Sequence, residues 1–105
     1  MKRHVEFTRA AKRDFDAAAD WYEQRAKRLG ERFARAVQRL VRRIVANPKL
    51  FAVVYREVRQ ASVRGFPFTL FYREKNDRLI VLAVVHTSRD PQIWMDRVDN
   101  ELRDE

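Results

Sequence analysis

Seven consecutive apolar residues, "LIVLAVV" from Leu79 to Val85, constrain this chain more than any other stretch. Successive side chains on a strand point to opposite faces, so an unbroken apolar run makes a strand buried on both sides. The run is far too short to cross a bilayer. It is read here as a central strand of a sheet.

The pattern upstream supplies the partners. "HVEF" (His4 to Phe7) alternates and reads as a first strand, with Val5 and Phe7 on one face. Thr8 then caps a helix whose apolar positions are Phe15, Ala18, Ala19, Tyr22, Ala26 and Leu29, and Gly30 is expected to stop it. A second helix is expected over 31–46, with Phe33, Val37, Leu40 and Ile44 as its stripe and Asn47-Pro48 as its end. After Pro48 the period changes from 3.6 to 2. "VVYREVRQASVR" reads as one strand, with Val54, Arg56, Val58 and Gln60 on one side and Tyr55, Glu57, Arg59 and Ala61 on the other. A third strand is expected from Phe66, and a tight turn at Asn76 to Arg78 leads into the apolar run. From Pro91, with Asp90 as cap, a last helix is expected to bury Ile93, Trp94, Val98 and Leu102, with the indole near Phe66 or Phe68. The order β-α-α-β-β-β-α predicts an α+β fold, a helical hairpin packed on one face of a mainly antiparallel sheet. The 105 residues make a single domain, 1–105.

Several chemistries find no footing. There is no cysteine, and two histidines without a carboxylate cluster give no metal site. With Gly30 and Gly65 as the only glycines there is no phosphate-cradling loop, and Ser62 and Ser88 lack a nucleophile-elbow context. No cofactor is expected. "MKRHVEF" has no apolar core of a signal peptide, so a soluble, cytoplasmic protein without a membrane segment is expected.

Charge is more informative. The formal net charge is +8, and residues 1–52 carry 14 basic against 6 acidic side chains, whereas residues 91–105 carry 2 against 5. Such a basic body suits nucleic acid or an acidic protein partner, with a merely well-solvated surface as the alternative. Arg28, Arg32, Arg35, Arg39 and Arg42 step by 4, 3, 4 and 3, which sets five guanidiniums in one line opposite the apolar stripe. A line of this kind can track phosphates or dock acidic side chains, though a solvated helix face also explains it. The apolar run itself ends in "HTSRDPQIW". If the third and fourth strands pair antiparallel, Arg64, His86 and Arg89 converge at one sheet end with Trp94 beside them. Two arginines, an imidazole and an indole suit phosphate and base, or an acidic partner. A purely structural corner is the alternative.

Three stretches in this order, "DFDAAADWYEQRAKRLGERF", "FAVVYREVRQASVRGFPFTLFY" and "LIVLAVVHTSRDPQIW", resemble the RelE/ParE toxin superfamily of type II toxin–antitoxin systems. "VRGFPFTLFY" followed by His86, Arg89 and Trp94 is most similar to the ParE-like branch. The resemblance implies a small sheet with a helical hairpin, no cofactor, and an antitoxin whose C-terminal segment wraps the toxin. It implies two kinds of activity. RelE-like members cut mRNA in the ribosome without metal, and ParE-like members inhibit DNA gyrase. Arg64 and Arg89 match strand-end arginines of the RNA-cleaving branch, and His86 would serve there as base or acid. The second strand, however, offers Tyr55 and Glu57 where RelE has lysines, and Trp94 lies where a catalytic tyrosine is wanted. The expectation is therefore a ParE-like toxin of a plasmid-stabilising module that inhibits gyrase through Arg64, His86, Arg89 and Trp94. The cognate antitoxin would lie along Arg28, Arg32, Arg35, Arg39 and Arg42 in a toxin–antitoxin hetero-oligomer. The alternatives are a ribosome-dependent mRNA endonuclease using Arg64, His86 and Arg89, and a non-toxic basic nucleic-acid-binding module.

Overall fold

The computed structural model describes residues 4–103. The apolar run falls in the fifth strand, and every other element packs around it. The chain runs β1 (His4–Phe7), α1 (Arg9–Arg25), α2 (Leu29–Ala46), a 3-10 turn (Pro48–Leu50), β2 (Val53–Tyr55), β3 (Val58–Ser62), β4 (Phe68–Lys75), β5 (Arg78–His86) and α3 (Pro91–Arg103). The sheet order is β1-β5-β4-β3-β2, parallel between β1 and β5 and antiparallel elsewhere. The α+β class and the helical hairpin on a mainly antiparallel sheet are as expected, with one strand more than the pattern suggested.

Both faces of β5 are covered, by different elements. Leu79, Val81 and Val84 join Phe33, Leu40 and Tyr72 in the larger core under the α1–α2 hairpin. Leu82 and Ala83 join Phe71, Val58 and Val98 in a smaller core under α3. The alternation slips once. Tyr72 pairs with Val81 and Phe71 with Ala83, so Leu82 is an extra residue, a β-bulge that puts two neighbours on one face.

Four local expectations are corrected. The stretch after Pro48 is not one strand, because Arg56 takes a left-handed conformation (φ 54°) and reverses the chain, pairing Tyr55 with Val58. Asp99 of α3 holds that turn, accepting from the Tyr55 hydroxyl at 2.8 Å and from Arg56 at 3.0 Å. Gly30 does not stop α1. It is buried in the first turn of α2, where a Cβ would lie 2.6 Å from the Ala19 carbonyl oxygen, while Arg28 (φ 70°) makes the reversal. The helices of the hairpin touch there because nothing larger fits. Trp94 does not pack near Phe66 or Phe68, which lie under the hairpin. Its ring stacks on Phe71 at 4.1 Å and meets Tyr55 edge-on at 6.0 Å, on the other face of the sheet. Ile93, expected to be buried beside it, is 44% exposed.

Two predictions follow from packing. Gly30→Ala should lower stability by about 1–3 kcal/mol, read by urea denaturation, because the methyl group forces α1 and α2 apart. Tyr72 is fully buried, its hydroxyl donating to the Pro48 carbonyl at 2.5 Å, and burial pushes its phenol up to about 12. The neutral phenol is thus favoured by folding. Its contribution is complete below the ordinary tyrosine value of about 10 and is lost as pH rises from there towards 12. Tyr22 is raised in the same sense by burial, and Tyr55 by its hydrogen bond to Asp99. Phenolate absorbance should therefore lag free tyrosine on alkaline titration and rise together with loss of the fold, and Tyr72→Phe should flatten the pH dependence between 10 and 12.

Candidate functional site

Where β1 ends, the edge of β5 that faced it is left open. β1 pairs only as far as Val81, and Thr8 N–H donates to the Val81 carbonyl at 3.0 Å as α1 turns away. Beyond that point side chains replace the missing strand. Val84 N–H donates to Asp14 Oδ2 of α1 at 3.0 Å, and Arg97 of α3 donates to the Leu82 carbonyl at 3.4 Å. Asp14 and Arg97 also pair with each other. One ion pair thus satisfies two backbone groups of the open edge and ties α1 to α3.

Above this pair lies a cleft of about 610 Å³ between α1, α3 and the end of β5. Its walls are mostly apolar: Ala17, Ala18, Trp21 and Tyr22 from α1, Pro67 and Phe68 at the start of β4, and Ile93 from α3. Trp21 is 50% exposed, an unusual cost for an indole on a small domain. The Arg25 guanidinium lies 4.1 Å over its ring, so the apolar mouth carries a cationic rim. His86, Ser88 and Arg89 line the same cleft from the β5 end.

His86 is oriented from both sides. Its ring meets Phe68 edge-on at 5.4 Å, and its Nδ1 accepts from Ser88 N–H at 3.0 Å. With Nδ1 an acceptor, the neutral imidazole carries its proton on Nε2 and presents a donor. Arg89 makes no side-chain hydrogen bond or ion pair among the described residues. Asp90 instead accepts from Gln92 N–H at 2.9 Å and caps α3.

The expected corner is only partly assembled. His86 and Arg89 share the cleft, whereas Arg64, in the β3–β4 turn rather than on a strand, lines a separate notch with Arg39, Arg43 and Ser62. Trp94 is on the far face. Tyr55 and Glu57 are also distant. His86 is level with Phe68 and Arg59 with Tyr72, which sets the β2–β3 turn roughly 15–20 Å along the sheet at ~3.3 Å per residue. There Tyr55 is bonded to Asp99, and Glu57 lies 3.4 Å from Arg73. Of the arginine line, Arg32, Arg35, Arg39 and Arg42 are on α2 and exposed, while Arg28 sits in the turn before it. Trp21, Arg25 and Ile93 were missed by the sequence reading. The lone signal is a tryptophan beside Tyr22 on the apolar stripe, one position too far round to be buried.

A family model described as "ParE toxin of type II toxin-antitoxin system, parDE" matches residues 5–91. The chain belongs to the ParE toxin family. A solved structure titled "Chromosomal ParDE TA system from P. aeruginosa" is 25% identical, with a TM-score of 0.61 over 81% of this chain and 96% of that one. No curated protein sequence matches significantly. The match to the ParE family ends at Pro91, so α3 after its first residue, with Ile93 and Arg97 in one cleft wall, lies beyond it. No helix among the described residues is long and apolar enough to cross a membrane, and no group of three or more metal-ligating side chains occurs among them.

The Asp14–Arg97 pair is open to a direct test. Asp14→Ala leaves Val84 N–H without its acceptor and Arg97 without its carboxylate partner, and should cost about 2–3 kcal/mol. Asp14→Asn keeps an acceptor for Val84 and should cost less. Chemical denaturation of the two variants gives the ordering.

Proposed function

We propose that this ParE-family protein is the toxin of a type II module and acts in the cytoplasm by binding DNA gyrase, without performing catalysis itself. The observation that carries this reading is the division of the candidate groups. His86 and Arg89 stand at the rim of an apolar cleft with Trp21 and Ile93 exposed, which is a docking surface with a donor and a free cation. The residues that stand where the RNA-cleaving branch has its lysines, Tyr55 and Glu57, are at the opposite end of the sheet and already engaged. Metal-free RNA cleavage requires a base, an acid and cations around one phosphate. Here Arg64 is in another notch, and the Nδ1 lone pair of His86 is taken by a backbone N–H.

The cognate antitoxin is proposed to lie along the exposed arginines Arg28, Arg32, Arg35, Arg39 and Arg42, through acidic side chains. These five make no ion pair with any described residue, while Arg56, Arg78 and Arg97 each have a carboxylate partner. An acidic segment that orders on this face would form a toxin–antitoxin hetero-oligomer.

Expression should arrest growth, and co-expression of the adjacent short reading frame should restore it and yield a co-purifying complex. Purified toxin should inhibit gyrase supercoiling, and Arg89→Ala should weaken inhibition by about 1–3 kcal/mol of affinity, roughly 5- to 150-fold. Primer extension on mRNA from arrested cells should show no new ends. Codon-positioned cleavage that disappears in His86→Ala, with supercoiling untouched, would overturn this choice in favour of the ribosome-dependent endonuclease.

A further inference from the structure

The notch that took Arg64 away from the cleft has a chemistry of its own. It is a cavity of about 120 Å³ on the α2 side of the sheet, floored by Ala36 and Leu40 and ringed by Arg39, Arg43, Arg64 and Ser62. Three arginines therefore line one small space. Like charges brought together repel, and a protein normally relieves this with a carboxylate. None is present here: among the described residues these three arginines have no ion pair. Elsewhere the chain does supply them, with Glu6 to Arg78, Asp14 to Arg97, Glu57 to Arg73 and Asp99 to Arg56.

The backbone under Arg64 and the Arg43 side chain are also held in place. Gly65 (φ +86°) makes a tight turn beneath Arg64, and Val63 N–H donates to the Phe68 carbonyl at 2.9 Å, which fixes the backbone that carries Arg64. The Arg43 guanidinium lies 5.6 Å from the centre of the Phe51 ring, which limits its swing. Arg39 rises from the same helix one turn earlier. Planar forks supplied by a helix and a turn suit the oxygens of a tetrahedral anion better than a single flat carboxylate.

We propose that Arg39, Arg43 and Arg64 form a binding site for a tetrahedral oxyanion, a phosphate or phosphodiester group. The site is separate from the His86–Arg89 cleft, and it stands whether or not the protein acts on gyrase. Its ligand is a free phosphate or a phosphodiester of a nucleic-acid strand.

The test uses the full-length protein, titrated with inorganic phosphate and, separately, with a short single-stranded DNA oligonucleotide, while arginine side-chain NMR signals are followed. Phosphate should move the signals of Arg39, Arg43 and Arg64 first. The variant Arg39→Gln/Arg64→Gln should bind phosphate about tenfold more weakly or worse, because charge-assisted hydrogen bonds are lost. A charge-matched variant on other surfaces, Arg13→Gln/Arg103→Gln, should bind it as wild type does, and thermal melting confirms that both fold. If the oligonucleotide also engages these signals, and the slope of log affinity against log salt falls by about 1–2 in the notch variant, the source is nucleic acid. Engagement by phosphate alone marks a free anion as the source. The site is refuted if neither ligand moves these signals, or if both double variants lose binding equally, since the attraction would then be net charge only.

Discussion

The ion pair between Asp14 and Arg97 is the interaction on which the rest of the molecule depends. A sheet edge left open by a short neighbouring strand exposes a carbonyl and an N–H that must find partners. Here one carboxylate and one guanidinium satisfy both and, because they come from different helices, fix α1 and α3 on either side of that edge. The cleft exists because a charged pair fills the space of a strand only at its base. Higher up, where the pair does not reach, Trp21 and Ile93 line space that no described side chain occupies.

α3 has the opposite character from the hairpin. The hairpin is held by aromatic packing, with Phe33 within about 5 Å of Tyr22, Phe66 and Phe68. By contrast, α3 buries Val98 and half-buries Trp94, and is fastened by Arg97 to Asp14 and by Asp99 to Tyr55 and Arg56. Polar fasteners at the surface are weakened by salt in a way apolar packing is not. The two walls of the cleft are therefore held differently, α1 by apolar packing and α3 in part by polar contacts.

Much of the architecture was legible because it rests on periodicity. The two-sided burial of β5, both hairpin helices, the Asn76–Asp77 turn and the Asp90 cap all follow from local pattern and local hydrogen bonding. What could not be read depends on contacts distant in sequence. The break at Arg56 needs Asp99, 43 residues away, and the tight seat of Gly30 needs the Ala19 carbonyl across the helix crossing. The corner of Arg64, His86 and Arg89 was half legible. Antiparallel pairing does bring the β3–β4 turn near the end of β5, but pattern alone does not say on which side of the sheet each side chain emerges. Arg64 emerges towards α2, and the line of arginines expected to serve an antitoxin gains in Arg39 a member of a second cluster.

The bulge at Leu82 settles that question of sides for the histidine. On a regular strand, residues of even number follow Ile80 and Leu82 to the α3 face, and His86 would emerge beside Trp94. One unpaired residue inverts the parity, so Val84 faces the hairpin and His86 lies against Phe68 in the cleft. The address of His86 is thus a matter of counting rather than of chemistry. In any relative, the number of residues between the bulge and the histidine, odd or even, decides which surface of the toxin carries an imidazole.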